Sequence, residues 1–226
     1  MRLPADFALG ASRSGDAAGF VLAGGVSSRM GQDKALVRLA GRPLIEHSLA
    51  ILRAAGLSAS IAGARSAINH FASAVEDAAS GRGPLSGVCA ALGDSPASWA
   101  VFVTVDQPFL PAPILTFLLN HARITGSVVT LASAAGFPQT FPAIVGREAL
   151  PILAAELDSG RSGCFSAFHA AAAALRRPLT AVPAEFLAQS GHVRHPVGLP
   201  PAFWFLNVNT PADLARAEAI LSRRIA

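Results

Sequence analysis

The segment from Phe20 to Leu36, FVLAGGVSSRMGQDKAL, gathers several anion-binding groups within one loop. Adjacent Gly24 and Gly25 let the backbone come close to a ligand and aim successive N–H groups at one anion, where side chains would obstruct. Arg29 and Lys34 bring a guanidinium and an ammonium to the same loop, a combination suited to a triphosphate that needs several partners at once. Of the eighteen Lys and Arg residues seventeen are Arg, so Lys34 is the chain's only lysine. An ammonium meets phosphate as a compact, mobile point charge and not as a planar fork. Asp33 beside it either anchors one of these cations or touches the ligand.

The spacing excludes two common phosphate loops. A Walker A element needs G-x-x-x-x-G-K-[ST], but Gly31 is followed by Gln32-Asp33-Lys34 and then Ala35. The dinucleotide fingerprint G-x-G-x-x-G fails as well, because Gly24 and Gly25 are adjacent and the next glycine is Gly31.

Further along, Asp106 closes the apolar run WAVFVTVD, with Pro108 fixing the turn behind it. One carboxylate together with phosphates and waters is how Mg²⁺ is usually held. The alternative role for Asp106 is to cap the helix that follows. Asp77 ends another strand-like stretch, either at a ligand or as a surface carboxylate beside Glu76. Asn207 and Asn209 sit two apart in an extended stretch and are expected to face different ways, so that only one meets the site. Thr210-Pro211 also reads as a helix start that Asn209 could serve. His192 and His195 lie in a proline-rich connection without a carboxylate partner, which does not suit zinc. Ser27, Ser28 and Ser86 have no His and Asp in a nucleophile-activating order, so covalent catalysis is not indicated.

These residues need elements to hold them. Gly19 to Leu22, extended by Ala23, reads as a buried strand. Pro43 is expected at the first position of a helix with Leu44, Ile45, Leu49 and Leu52 along one stripe, ending at Gly56. Leu57 to Gly63 and Phe71 to Val75 read as weaker strands, and Pro84 to Leu92 as a short helix. Trp99 to Asp106 reads as a strand buried on both faces, the habit of parallel sheets. Helices are expected over Pro111 to Arg123, Glu148 to Leu157, Ser166 to Leu175 and Pro211 to Ile225, the last with Thr210 as N-cap. Strands are expected over Ser127 to Ala132, Phe141 to Val145 and Leu179 to Val182. Strands alternate with helices, so the fold class is α/β: a doubly wound, mainly parallel sheet with helices on both faces. In such sheets ligands bind outside the carboxyl ends of the strands, an address the glycine loop, Asp77 and Asp106 share.

Composition narrows the function classes. With 52% hydrophobic and 14% charged residues the chain is too apolar for disorder. A net charge of +4, with scattered arginines, does not make a nucleic-acid groove. No apolar run reaches the roughly 20 residues of a membrane span. Pro4, Asp6, Arg13 and Asp16 interrupt any signal-peptide core, so residues 1–18 read as a loose leader and 19–226 as one domain. Cys89 and Cys164, without CxxC spacing, read as two buried reduced thiols in a cytoplasmic protein.

LAGGVSSRMGQDKAL resembles the signature loop of the Rossmann-like nucleotidyltransferases, and most closely the pattern LAGG-x-S-x-R-M-G-x-D-K of the molybdenum cofactor guanylyltransferases. Glu76-Asp77, the GPLSG of Gly83 to Gly87, Asp106-Gln107-Pro108-Phe109, Phe141-Pro142-Ala143 and Asn207-Val208-Asn209-Thr210-Pro211 follow in the family's order, so the resemblance runs from about Gly19 to the C-terminus. It departs at Ala62-Gly63-Ala64-Arg65, which lacks the family's asparagine, and at Gln107, a less usual neighbour of the aspartate.

The resemblance implies Mg²⁺-dependent transfer of GMP from GTP to the phosphate of a pterin acceptor, with release of pyrophosphate. It implies that Leu22, Ala23, Gly24, Gly25, Lys34, Asp77, Pro84, Leu85 and Asp106 bind the nucleotide. Arg29, Lys34 and Asp106 act in catalysis, and Asp106 with Asn209 holds the metal. The implied partners are GTP and the phosphorylated pterin, in a monomer or small homo-oligomer, with no nucleic acid or membrane. Related loops serve cytidylyltransferases on the same pterin and transferases for other phosphorylated acceptors. A nucleotide-binding module that has lost turnover is the reading outside catalysis.

Overall fold

In a computed structural model the chain is described over residues 15–23, 33–63, 66–76 and 82–225, the last three residues through their backbone alone. Strand β1 (Ala17–Leu22) begins two residues before the expected Gly19 and leads into the glycine loop, of which residues 24–32 lie outside the described residues. The chain resumes at Asp33 in a short 3-10 turn, Lys34–Leu36. A small hairpin, β2 (Arg38–Leu39) and β3 (Arg42–Pro43), turns through Ala40 and Gly41 at positive φ. Helix α1 (Leu44–Ala54) follows, with Pro43 as its extended N-cap and not its first turn. Then come β4 (Ser58–Ala62), β5 (Ala74–Val75), α2 (Pro84–Asp94), β6 (Trp99–Thr104) and α3 (Ala112–Thr125). Strands β7 (Val129–Ala134) and β8 (Phe137–Gly146) form a hairpin, followed by α4 (Leu150–Asp158), α5 (Cys164–Leu175) and β9 (Leu179–Pro183). Helices α6 (Ala184–Gln189), α7 (Pro201–Trp204) and α8 (Pro211–Ile225) complete the order.

Seven strands form one sheet in the order β5-β4-β1-β6-β8-β7-β9. β1 pairs in parallel with β4 and β6, and β7 in parallel with β9. Only β8 runs against its neighbours β6 and β7, so the sheet is mainly parallel, as expected for this fold class. Phe141 to Val145 is the buried second half of β8. The first half, Phe137 to Thr140, contains Pro138 and sits at or near solvent, which is why its composition reads as a loop. The sequence reading also passed over the β2–β3 hairpin and the short α6 and α7.

The pleat distributes side chains to two cores. Val21, Val101 and Val103 pack with α1 and α3, together with Leu187 of α6 and Trp204 of α7. Phe20, Leu22, Ala100 and Phe102 pack on the other face with α2, α4 and α5. Phe20 and Phe102 are register partners in adjacent strands, with ring centroids 5.7 Å apart. Cys164 is buried in that second core, and its thiol is pushed up to about 12, first by burial and then by Cys89. Cys89 is only partly buried, less than expected, and neither cysteine is in a disulfide. Among the described residues no helix is long and apolar enough to cross a membrane.

From β1 the chain winds outward through β4 and β5, then returns to place β6 on the other side of β1. This reversal opens a crevice at the carboxyl ends of β1 and β6.

Candidate functional site

Two main-chain anchors bring distant segments to that crevice. Past the end of β1, Ala23 N donates to Ala62 O at 3.1 Å. Past the end of β6, Val208 N donates to Asp106 O at 2.8 Å, which fastens the stretch before α8 to the turn. The Lys34 turn is held equally firmly: Leu36 N donates to Asp33 O, Val37 N to Lys34 O, and Ala35 and Val37 are fully buried. Asp33 Oδ1 accepts the Ala35 N–H at 3.0 Å, capping this turn.

At the centre, Lys34 Nζ donates to Asp106 Oδ2 at 2.8 Å and also to Asn209 Oδ1. The Lys34 and Asp106 side chains are 16% and 20% exposed, so the pair is shielded but open toward the crevice. Thr104 Oγ1 donates to Asp106 Oδ1 at 2.5 Å, and the fully buried Ser48 of α1 donates to the Thr104 carbonyl at 3.1 Å. Asp106 does not cap the following helix, whose N-cap is Pro111. Its carboxylate is held by Thr104 and Lys34 instead.

A regular strand would send Asn207 and Asn209 to the same face, since side chains two apart share one. The segment is not a strand. Val208 turns into the core, Asn207 is exposed, and Asn209 reaches Lys34. The Asn209 main-chain N donates to Asp213 Oδ2 at 3.1 Å, so one residue serves both the site and the helix start. Thr210 N and Oγ1 donate to the same carboxylate oxygen at 2.9 and 2.8 Å, while Asp213 N donates back to Thr210 Oγ1 at 3.2 Å. This is a capping box with Asp in the Glu position.

The Thr210 hydroxyl and the Asn209 and Thr210 main-chain amides hold Asp213 below its ordinary pKa. Its contribution to stability is therefore present at neutral pH and lost as pH falls below the ordinary carboxylate range, about pH 4. Thr210→Ala is expected to cost about 1 kcal/mol in urea unfolding at pH 7. Asp213→Asn should lower the urea midpoint at pH 7 and by less at pH 3. An equal loss at both pH values would contradict the charged cap.

Two oxygen donors, a carboxylate and a carboxamide, thus converge on one cation. Hard oxygen ligands of this kind fit a divalent metal such as Mg²⁺, with phosphate and water oxygens completing the shell. Gln107 is buried, and its Oε1 has no partner among the described residues.

The other expected site residues are placed less directly. Arg29, Gly24, Gly25 and Asp77 lie outside the described residues. Leu22, Ala23 and Leu85 are buried in the cores, so their side chains face the packing and only their backbone could meet a ligand. Pro84 is exposed at the start of α2, which Gly83 enters with φ of 80°. His195 spans Phe109 O at 3.0 Å and the Val197 N–H at 3.2 Å, bracing the turn behind Asp106. Thr104 and Asp213 were missed, although spacing marks both. Thr104 shares a strand face with Asp106 two residues on, and Thr-x-x-Asp before a helix is a capping signal.

The profile of the MobA-like NTP transferase domain matches residues 19–184. The chain belongs to this family. A probable molybdenum cofactor guanylyltransferase of Deinococcus radiodurans is 32% identical over 195 residues, 86% of this chain and 90% of that protein. A molybdenum cofactor guanylyltransferase of Xanthomonas euvesicatoria is 43% identical over 107 residues, which span 46% of this chain and about half, 54%, of that relative. In fold, the chain superposes on molybdopterin-guanine dinucleotide biosynthesis protein A of Archaeoglobus fulgidus with a TM-score of 0.73 at 24% identity, covering 91% of this chain and 98% of the other. The 2-C-methyl-D-erythritol 4-phosphate cytidylyltransferase of Thermus thermophilus shares the fold with a TM-score of 0.60 at 18% identity, over 90% and 98%. The MobA-like domain match ends before Asn209, yet Asn209 meets Lys34 at the centre of the crevice.

Proposed function

We propose that this nucleotidyltransferase moves GMP from GTP to the phosphate of molybdopterin and releases pyrophosphate. The observation that carries the reading is the meeting of Lys34, Asp106 and Asn209 at the carboxyl ends of β1 and β6. The names of the relatives and the glycine loop support the choice of substrates.

In this reading the backbone of Leu22, Ala23, Gly24 and Gly25 surrounds the triphosphate, with Arg29 and Lys34 neutralising it. Asp77 and the start of α2 at Pro84 and Leu85 border the guanine. Asp106 and Asn209 would hold Mg²⁺, which when bound would neutralise charge on the phosphates. An acceptor phosphate is already ionised at neutral pH, so positioning and charge neutralisation suffice and no basic side chain is required. Lys34 would stabilise the negative charge gathered on the transferred and leaving phosphates, and Thr104 would keep the Asp106 carboxylate in one orientation.

The site draws on Lys34 near the start of the chain and Asn209 near its end, which suits a single unit that takes in all of β1 from Ala17, two residues earlier than the expected Gly19. A cytoplasmic monomer or small homo-oligomer is the expected setting.

A thermal-shift comparison of GTP, CTP, ATP and UTP with Mg²⁺ tests the nucleotide. Ligand at about 100 times its Kd stabilises the native state by about 2.7 kcal/mol, so GTP should give the largest shift. A larger shift with CTP would replace guanine by cytosine in the assignment.

A further inference from the structure

We infer that Lys34 occupies the place of the divalent cation in the ligand-free protein, so that metal joins the site only together with a nucleotide. The inference rests on the reading of Asp106 and Asn209 as the metal-holding pair.

Lys34 Nζ is in hydrogen-bond contact with Asp106 Oδ2 and Asn209 Oδ1 together. Two further polar groups of these residues are committed elsewhere. Asp106 Oδ1 accepts the Thr104 hydroxyl at 2.5 Å, and the main-chain N of Asn209 is given to Asp213. A divalent ion seated on the same two oxygens at about 2.1 Å would compete for their lone pairs and face an ammonium of like charge.

Movement is confined to the lysine side chain. Asp33 caps its turn, Ala35 and Val37 are fully buried, and Leu44 N donates to Val37 O at 2.8 Å. The backbone is thus pinned on both sides of a flexible four-carbon stem. The ammonium leaves Asp106 only if its charge finds another partner. A free cation offers none, and it would strand an ammonium whose side chain is only 16% exposed. A triphosphate in the preceding glycine loop offers several oxygens. Lys34 can then swing from carboxylate to phosphate, clearing Asp106 and Asn209 for metal in the same event. Metal and nucleotide are therefore positively coupled, with the lysine as the two-position element that both bias. An arginine would suit this exchange poorly, because its planar fork would bind the carboxylate through two parallel hydrogen bonds.

The test is a Mn²⁺ titration followed by EPR, without nucleotide, on the full chain and on Lys34→Met, which keeps the stem and removes the charge. The variant should bind Mn²⁺ at least about tenfold more tightly than the unaltered chain, within the usual range of coupling between sites. In the unaltered chain Mn²⁺ affinity should rise by a similar factor when a GTP analogue with a methylene bridge between the α and β phosphates is added. Equal affinities, or no Mn²⁺ binding by the variant, would overturn the inference. A second measurement needs no variant. Because Lys34 is the chain's only lysine, incorporation of lysine carrying ¹³C at the ε-carbon labels it alone and leaves its ammonium intact. Mg²⁺ by itself should leave the Lys34 ε-carbon signal in place, and Mg²⁺ with the analogue should shift it. A shift with Mg²⁺ alone would also overturn the inference. None of these readouts requires guanylyl transfer, so failure of the transfer reaction itself remains a separate result.

Discussion

Lys34→Ala is expected to lower kcat/KM for GTP by about 10²–10³-fold, the usual effect of deleting one preorganised group that stabilises developing charge. The ammonium is central to the crevice and no second lysine exists to replace it. Its partners place it between the turn after β6 and the stretch before α8, a position that loss of the side chain leaves empty. The same change leaves Asp106 without its cation partner. With side chains 16% and 20% exposed, the pair lies between the surface and fully buried cases, so the stability loss should be about 1–2 kcal/mol. Urea unfolding and steady-state pyrophosphate release, measured together, separate the two effects. A variant that keeps its turnover within about threefold would remove Lys34 from the chemistry, because deleting one charge-stabilising group normally costs far more.

Asp106→Asn should be more damaging still, with turnover falling by about 10³-fold or more, since metal-held charge stabilisation supplies several kcal/mol to such transition states. The substitution keeps the shape and leaves one oxygen to accept the Thr104 hydroxyl, so the turn after β6 should survive. It removes the anionic charge that faces Lys34, and with it the stronger of the two oxygen ligands for a metal. Binding of the GTP analogue measured without metal should change much less than turnover, because in the proposed function the glycine loop and Lys34 would carry that contact. Saturating Mn²⁺ that restores full turnover would show that Asp106 sets metal affinity only. Turnover within about tenfold of the unaltered chain at ordinary Mg²⁺ would exclude Asp106 as the metal-holding carboxylate.

Much of this site was legible because strand ends and chemistry coincide in the sequence. WAVFVTVD announces both a buried central strand and the carboxylate beyond its end, and LAGG follows directly on an apolar run. The pairing of Lys34 with Asn209 was not legible, since 175 residues separate them and the second segment is brought in by the hydrogen bond from Val208 to Asp106 and by burial of Val208 in the core. Asn207 and Asn209 defeat simple alternation because the chain there is irregular, with Val208 drawn into the core. The first half of β8 was hidden by Pro138 and by its exposure, which erase the apolar signature that Phe141 to Val145 retains. Pro43 was misplaced by one residue because a proline with extended ψ can close a hairpin and cap a helix at once. Thr104 and Asp213, by contrast, carried readable spacing signals. Each acts on a site residue and not on a ligand, so a search for ligand-binding side chains passes over them.

The central claim is that the crevice between β1 and β6 transfers guanylate to a pterin phosphate. The most direct measurement is incubation of the chain with Mg²⁺, molybdopterin and GTP labelled with ³²P at the α-phosphorus, following both label and pyrophosphate. The account predicts that label appears on the pterin, with one pyrophosphate released for each GMP transferred and none without acceptor. Label that stays in GTP while the same acceptor takes CMP from CTP, or takes no nucleotide at all, would contradict it.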